Sequence, residues 1–254
     1  MNPLRIMGVA GWLGLTGVAA QASVVTLDWN KVPQGALTKS GSSYVEAVNV
    51  ASGQVDVSVT PKGPVTVNRF GPDNLRTPAV TDTIFQGGLA SNFSNLSTVA
   101  RFRPATGSDP TITFGIKFVG YKAVRDVSFS LFDVDADGSR YVDQVTFQTA
   151  GASLTGGLDN VVSGRTVTGF TPSPNLGAGS GNANVGVKYA SLPSEQIVFT
   201  YHSPIRGTTL QGIGVGNVSF TVVPEVNQLA VGLAACVLGA LCLRQNRRGL
   251  RMEL

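Results

Sequence analysis

Cysteine, histidine and charge are all scarce in this chain. The only two cysteines, Cys236 and Cys242, lie in a C-terminal apolar run, so residues 23–222 contain none. That body therefore has no disulfide framework, thiol nucleophile or cysteine metal site, and core packing must hold it. The single histidine, His202, cannot make a two-histidine metal site. Charged residues make up 13% of the 254, well below the roughly 25% of an ordinary soluble domain. With so little Glu and Lys, a helical bundle, a coiled coil and an acidic disordered chain are all disfavoured. The net charge of +4 does not come from the body, because between Ser23 and Glu225 there are 14 Lys and Arg against 14 Asp and Glu. The folded part thus has no electrostatic motive to bind nucleic acid or an anionic lipid surface.

What the chain does have is Gly, Ser, Thr, Asn and Val in short alternating runs. Val55, Val57 and Val59 alternate with Gln54, Asp56 and Ser58, and Ile112, Phe114, Ile116 and Phe118 alternate with Thr111, Thr113 and Lys117. Period two puts one face of a strand in a core and the other in water. The same pattern recurs at Val127/Phe129/Leu131, Val145/Phe147, Val185/Val187/Tyr189, Ile197/Phe199/Tyr201 and Val218/Phe220/Val222, with Gly, Pro, Asn and Ser clusters between the runs. The expected fold is all-β, an antiparallel two-sheet sandwich of jelly-roll type, since each sheet must bury its apolar face against another. Pro172 to Gly181 is expected to be a long surface loop, and Ser23 to about Gln54 an additional hairpin.

The two ends differ from the body. Arg5, an apolar stretch from Ile6 to Ala19 and an Ala20-Gln21-Ala22 cleavage site make residues 1–22 a secretory signal peptide. Signal peptidase and the Sec translocon are its expected partners, and residues 23–222 form the expected sandwich domain. Residues 223–254 contain Pro224-Glu225, an uncharged run from Leu229 to Leu243, and Arg244, Arg247, Arg248 and Arg251. As a helix the run covers roughly 22 Å, against roughly 30 Å of hydrocarbon. It is a short C-terminal transmembrane helix whose trailing arginines stay cytoplasmic, with the body on the far side of the inner membrane.

Pro224-Glu225, the apolar helix and the Arg-rich tail together resemble the PEP-CTERM sorting signal of Gram-negative bacteria, with Val226 where the second Pro of the usual core stands. The resemblance implies processing near Pro224-Glu225 by a membrane protease, exosortase, after a transient stay in the inner membrane. The product then passes to the cell surface or outside, in association with exopolysaccharide or biofilm. A second resemblance covers about Val119 to Phe220. Ser128 to Asp135, Asp143 to Thr146 and Gln211 to Phe220 are similar to a β-sandwich module of bacterial surface proteins that pairs an Asp-Ile-Asp strand end with a closing QGIGIGDITF strand.

The densest local chemistry is Asp133-Val134-Asp135-Ala136-Asp137-Gly138, with Asp143 following. Carboxylates at spacing two can converge on one hard cation when a loop curls, so Asp133, Asp135, Asp137 and Asp143 are candidate ligands of a structural Ca²⁺. The spacing resembles the start of an EF-hand loop, but Gln144 stands where the bidentate Glu would be. In the alternative, Asp137-Gly138 merely turns a hairpin and the aspartates are solvated.

Signals for catalysis are thin. His202 ends a strand on the outward face, no Gly-x-Ser-x-Gly elbow is present, and Glu46 and Glu195 are the only glutamates of the body before the sorting signal. Gly212, Gly214 and Gly216 lack a following helix and read as a strand or bulge feature. The expectation is a non-enzymatic exported protein. The alternatives are a carbohydrate-binding module, using exposed rings among Trp29, Tyr44, Tyr121 and Tyr141, and a secreted hydrolase using His202.

Overall fold

The structure, a computed structural model, describes residues 22–223 apart from 52, 71–73, 83–84, 86, 88–92, 104–108, 138–139, 171–180 and 206–209. The signal peptide up to Gln21 and the sorting signal from Pro224 onward, with Ala20, Glu225, Arg244, Arg247 and Arg248, lie outside the described residues, as does most of the Pro172 to Gly181 loop. Ala22–Val223 is one compact unit.

The alternating runs form the strands expected of them. Gly53–Lys62 pairs antiparallel with Thr111–Val119 so that Val59, Val57 and Val55 lie opposite Phe114, Ile116 and Phe118, all of them buried. On its other side Thr111–Val119 takes Gln196–His202, with Phe114 opposite Phe199 and their rings stacked at 4.8 Å. β-Branched and aromatic side chains packing across strands are what stabilise such a sheet. Gln144–Phe147 continues this eight-stranded sheet beyond Gln196–His202.

A ten-stranded sheet faces it. Its centre is Val124–Phe132, flanked by Val185–Ser191 on one side and by Val218–Val222 and Gln211–Val215 on the other. From Thr111 the chain crosses repeatedly between the sheets: Thr111–Val119 lies in the smaller, Val124–Phe132 in the larger, Gln144–Phe147 in the smaller and Ser153–Gly156 in the larger. The hairpin of Asn160–Ser163 and Thr166–Gly169 returns to the smaller, Val185–Ser191 lies in the larger and Gln196–His202 in the smaller, and Gln211–Val215 and Val218–Val222 both end in the larger. Rings meet across the interface, Phe118 with Phe220 at 4.8 Å and Phe102 with Tyr201 at 5.1 Å. One large apolar cluster fills the space between, which is how a body without disulfides is held.

The N-terminal segment is not an added hairpin. Ser23–Leu27 borders the larger sheet against Val218–Val222, whereas Ser43–Val50 pairs along its length with Gly53–Lys62 in the smaller one. Val25 and Leu27 of the first and Val50 of the second are buried in the common core, with Tyr44 and Val48 packed against it, so neither segment folds as an appendage. Among the described residues, helix is limited to single 3₁₀ turns such as Trp29–Lys31, and no helix is long and apolar enough to cross a membrane.

Gly212, Gly214 and Gly216 lie on the closing strand and just beyond it. A Cβ at Gly212 would come within 2.5 Å of the Phe85 ring, and one at Gly216 within 2.9 Å of the Phe132 ring. The glycines let Phe85 and Phe132 form a second, smaller apolar cluster with Val99 on the outer face of the larger sheet.

Candidate functional site

The aspartate cluster grows out of the end of Val124–Phe132. Asp133 has φ +63°, which turns the chain out of the sheet. Val134 is anchored by its N–H on the carbonyl of Ala183 at 3.0 Å. Ala136–Asp137 then pairs with Tyr141–Val142 as a small ribbon, and the Asp143 N–H donates to the Asp135 carbonyl at 2.9 Å. Asp135 and Asp143 thus sit side by side at the base of the hairpin, both buried, at 2% and 1% exposure.

Asp143 precedes Gln144–Phe147 in the same inward phase as Val145 and Phe147, so its carboxylate enters the end of the core. There the Tyr201 hydroxyl donates to Oδ1 at 2.7 Å, and the Asp135 N–H lies 3.4 Å from Oδ2. Tyr141 and Asp133 complete the group. Burial, and then the charge of Asp135, push the Asp133 carboxyl up to about 8. The same two causes push Asp143 well above the usual carboxylate range, opposed by the Tyr201 hydrogen bond. Burial and the neighbouring carboxylates also raise the Tyr141 and Tyr201 hydroxyls. The cluster therefore holds protons that solvated aspartates would have lost.

The four aspartates of the sequence pattern separate into two environments. Asp133, Asp135 and Asp143 act on one another, while Asp137 faces Arg140 at 3.3 Å in an exposed i,i+3 ion pair. The hairpin expected as the plain alternative forms, with Gly138 outside the described residues. The expectation that its aspartates are solvated holds only for the rim: Asp135 and Asp143 are buried, Asp143 because it continues the inward phase of Val145 and Phe147 and Asp135 because it is paired beside it at the base of the hairpin. Among the described residues, no group of three or more Asp, Glu, His or Cys side chains is disposed to hold a metal ion.

Sequence reasoning did not single out Tyr141, Tyr201 or Gly169 as parts of this cluster. Tyr201 carried a signal, because an inward phase shared with Ile197 and Phe199 obliges a buried hydroxyl to find a partner. Gly169 carried none: a Cβ there would lie 2.0 Å from the Asp135 carbonyl oxygen, and its own N–H donates to the Asp143 carbonyl at 2.8 Å.

The other candidates lie apart from this group. His202 is half-buried on the outward face, its Nε2 2.8 Å from the Gln144 side-chain oxygen, and burial lowers its pKa. Of the rings expected to be exposed for sugar stacking, Trp29, Tyr121 and Tyr141 are buried. The Trp29 indole N–H donates to the Gly216 carbonyl at 2.9 Å and the Tyr121 hydroxyl to the Val50 carbonyl, so both rings serve the core. Tyr44 is partly buried against the same core.

No protein-family model matches the chain, and no curated protein and no solved structure matches it significantly.

Proposed function

We propose that the protein is an exported, non-enzymatic component of the cell surface or extracellular matrix, delivered by Sec, processed by signal peptidase and exosortase, and associated with exopolysaccharide. In this reading the sandwich is jelly-roll-like, and a signal helix and a C-terminal transmembrane helix serve only its delivery.

The observation that carries this reading is where the described strands start and stop. The first strand begins at Ser23, immediately after the Ala20-Gln21-Ala22 site, and the last ends at Val222, two residues before Pro224-Glu225. These strands pair with each other over five positions, from Ser23 opposite Val222 to Leu27 opposite Val218. Cuts at the two signals would leave every described strand in place and both new ends on one pair of neighbouring strands. Packing without cysteine also suits a domain that passes through compartments of different redox state.

Expression in a Gram-negative host that encodes exosortase tests the proposal. Replacing Pro224-Glu225 with Ala-Ala is expected to hold the protein in the inner membrane while the unaltered chain is released. Equal release of both forms would overturn it.

A further inference from the structure

Two cavities on the outer face of the ten-stranded sheet, of about 330 Å³ and about 490 Å³, share Ser128 and Lys188 and so form one groove. It runs across the strands. Ser219 lies opposite Ser128, Ser128 opposite Lys188, and Lys188 opposite Ser153, giving a row of outward side chains over four strands. At about 4.8 Å between strands, that row is roughly 14 Å long. One end is walled by the half-buried Phe93, which stands edge-on to Phe132 at 6.0 Å and 85°.

In the adjoining row the floor is bare. Gly186 lies inside Val185–Ser191, opposite Ser130 on one side and Thr155 on the other, with unbroken register. Its φ is not positive, and the nearest atoms to the missing Cβ belong to Thr155 at 3.8 Å, an ordinary contact. Neither a turn, a bulge nor close packing requires glycine here, in contrast to Gly212 and Gly216. A glycine inside a strand weakens it, and with those reasons removed the remaining one is close approach of a ligand.

The lining selects the ligand. A sheet interior has its backbone groups paired, so recognition falls to the hydroxyls of Ser128, Ser130 and Ser153, to the Phe93 ring and to two charges, Lys188, which lines both cavities, and Asp126, which lines only the larger one. A peptide added as a strand needs a sheet edge, and one bound as a helix needs an apolar groove. A nucleic acid needs several cations where this groove has one. Short hydroxyls beside an aromatic wall suit a sugar chain, whose rings offer both hydroxyl and C–H surfaces.

We propose that this groove binds an extended acidic polysaccharide, with Lys188 receiving the carboxylate of a uronic acid unit and Gly186 leaving room for the chain. The site deepens the proposed matrix association and rests on it only for the source of the glycan.

Affinity electrophoresis of the purified full-length chain in mild detergent, through gels containing alginate or the neutral polymer dextran, tests the assignment. Alginate is expected to retard the protein. Gly186→Ile, which fills the floor with a residue that favours strands, is expected to weaken retardation at least tenfold with an unfolding midpoint no lower than that of the unaltered chain. Lys188→Ala is expected to weaken binding to alginate specifically. No retardation by alginate, or equal retardation of the Gly186→Ile and unaltered proteins, would overturn the proposal. Because the purified chain is used, failure here is distinct from failure of export.

Discussion

The Tyr201 hydroxyl donates to the Asp143 carboxylate at 2.7 Å, with both side chains inside the core. This bond joins the end of Gln196–His202 to the base of the aspartate hairpin. Tyr201→Phe keeps the ring against Phe102 but leaves a buried carboxyl oxygen without its donor. The expected cost is about 1–3 kcal/mol of unfolding free energy. Urea denaturation of the two forms measures it, and a difference below about 0.5 kcal/mol would show that the bond contributes little net stability.

The raised carboxyls make stability depend on pH in a defined direction. Asp133 shifts from 3.8 in a free chain to about 8 in the fold, and Asp143 shifts the same way. The folded state therefore binds protons that the unfolded state has released, so the stabilisation is complete at acid pH and lost progressively as pH rises through about 8. Calorimetry is expected to show a lower midpoint at pH 9 than at pH 5, and Asp133→Asn a flatter profile. With protons neutralising the cluster, EDTA at pH 6 leaves the midpoint unchanged. A midpoint that rises with calcium would instead support a calcium shell around these aspartates.

Gly169 and Gly186 are expected to respond oppositely to an added methyl group. At Gly169 the Cβ would meet backbone, the Asp135 carbonyl oxygen at 2.0 Å, so main chain must move and the hairpin base with it. At Gly186 it meets only ordinary contacts. Gly169→Ala is expected to cost about 3 kcal/mol or more, and Gly186→Ala to lie within about 0.5 kcal/mol of the unaltered chain. Thermal or urea unfolding of the pair compares them directly, and similar losses at both sites would contradict these glycine environments.

The strand core was legible because period two is a local signal. Val55, Val57 and Val59, or Ile112, Phe114, Ile116 and Phe118, declare their buried face without knowledge of the partner strand. The aspartates were not, because Asp133, Asp135 and Asp137 look equivalent in sequence. Only the Ala136–Asp137 ribbon, which sends Asp137 toward Arg140, and the phase of Gln144–Phe147, which sends Asp143 inward, separate them. Trp29 was misleading for a related reason. It is buried in the common core with its indole N–H on the Gly216 carbonyl, 187 positions away, and no local pattern links the two. The bare floor at Gly186 was hidden as well, since among many glycines only the filled spaces at Gly212 and Gly216 make it stand out.

Intact-mass measurement of the protein recovered outside the cell tests the account of export most directly. The account predicts a chain beginning at Ser23 and ending close to Pro224-Glu225, lighter than the 26.4 kDa of the full sequence. A full-mass chain retaining Met1 and Leu254, found dissolved in the cytoplasm, would contradict it.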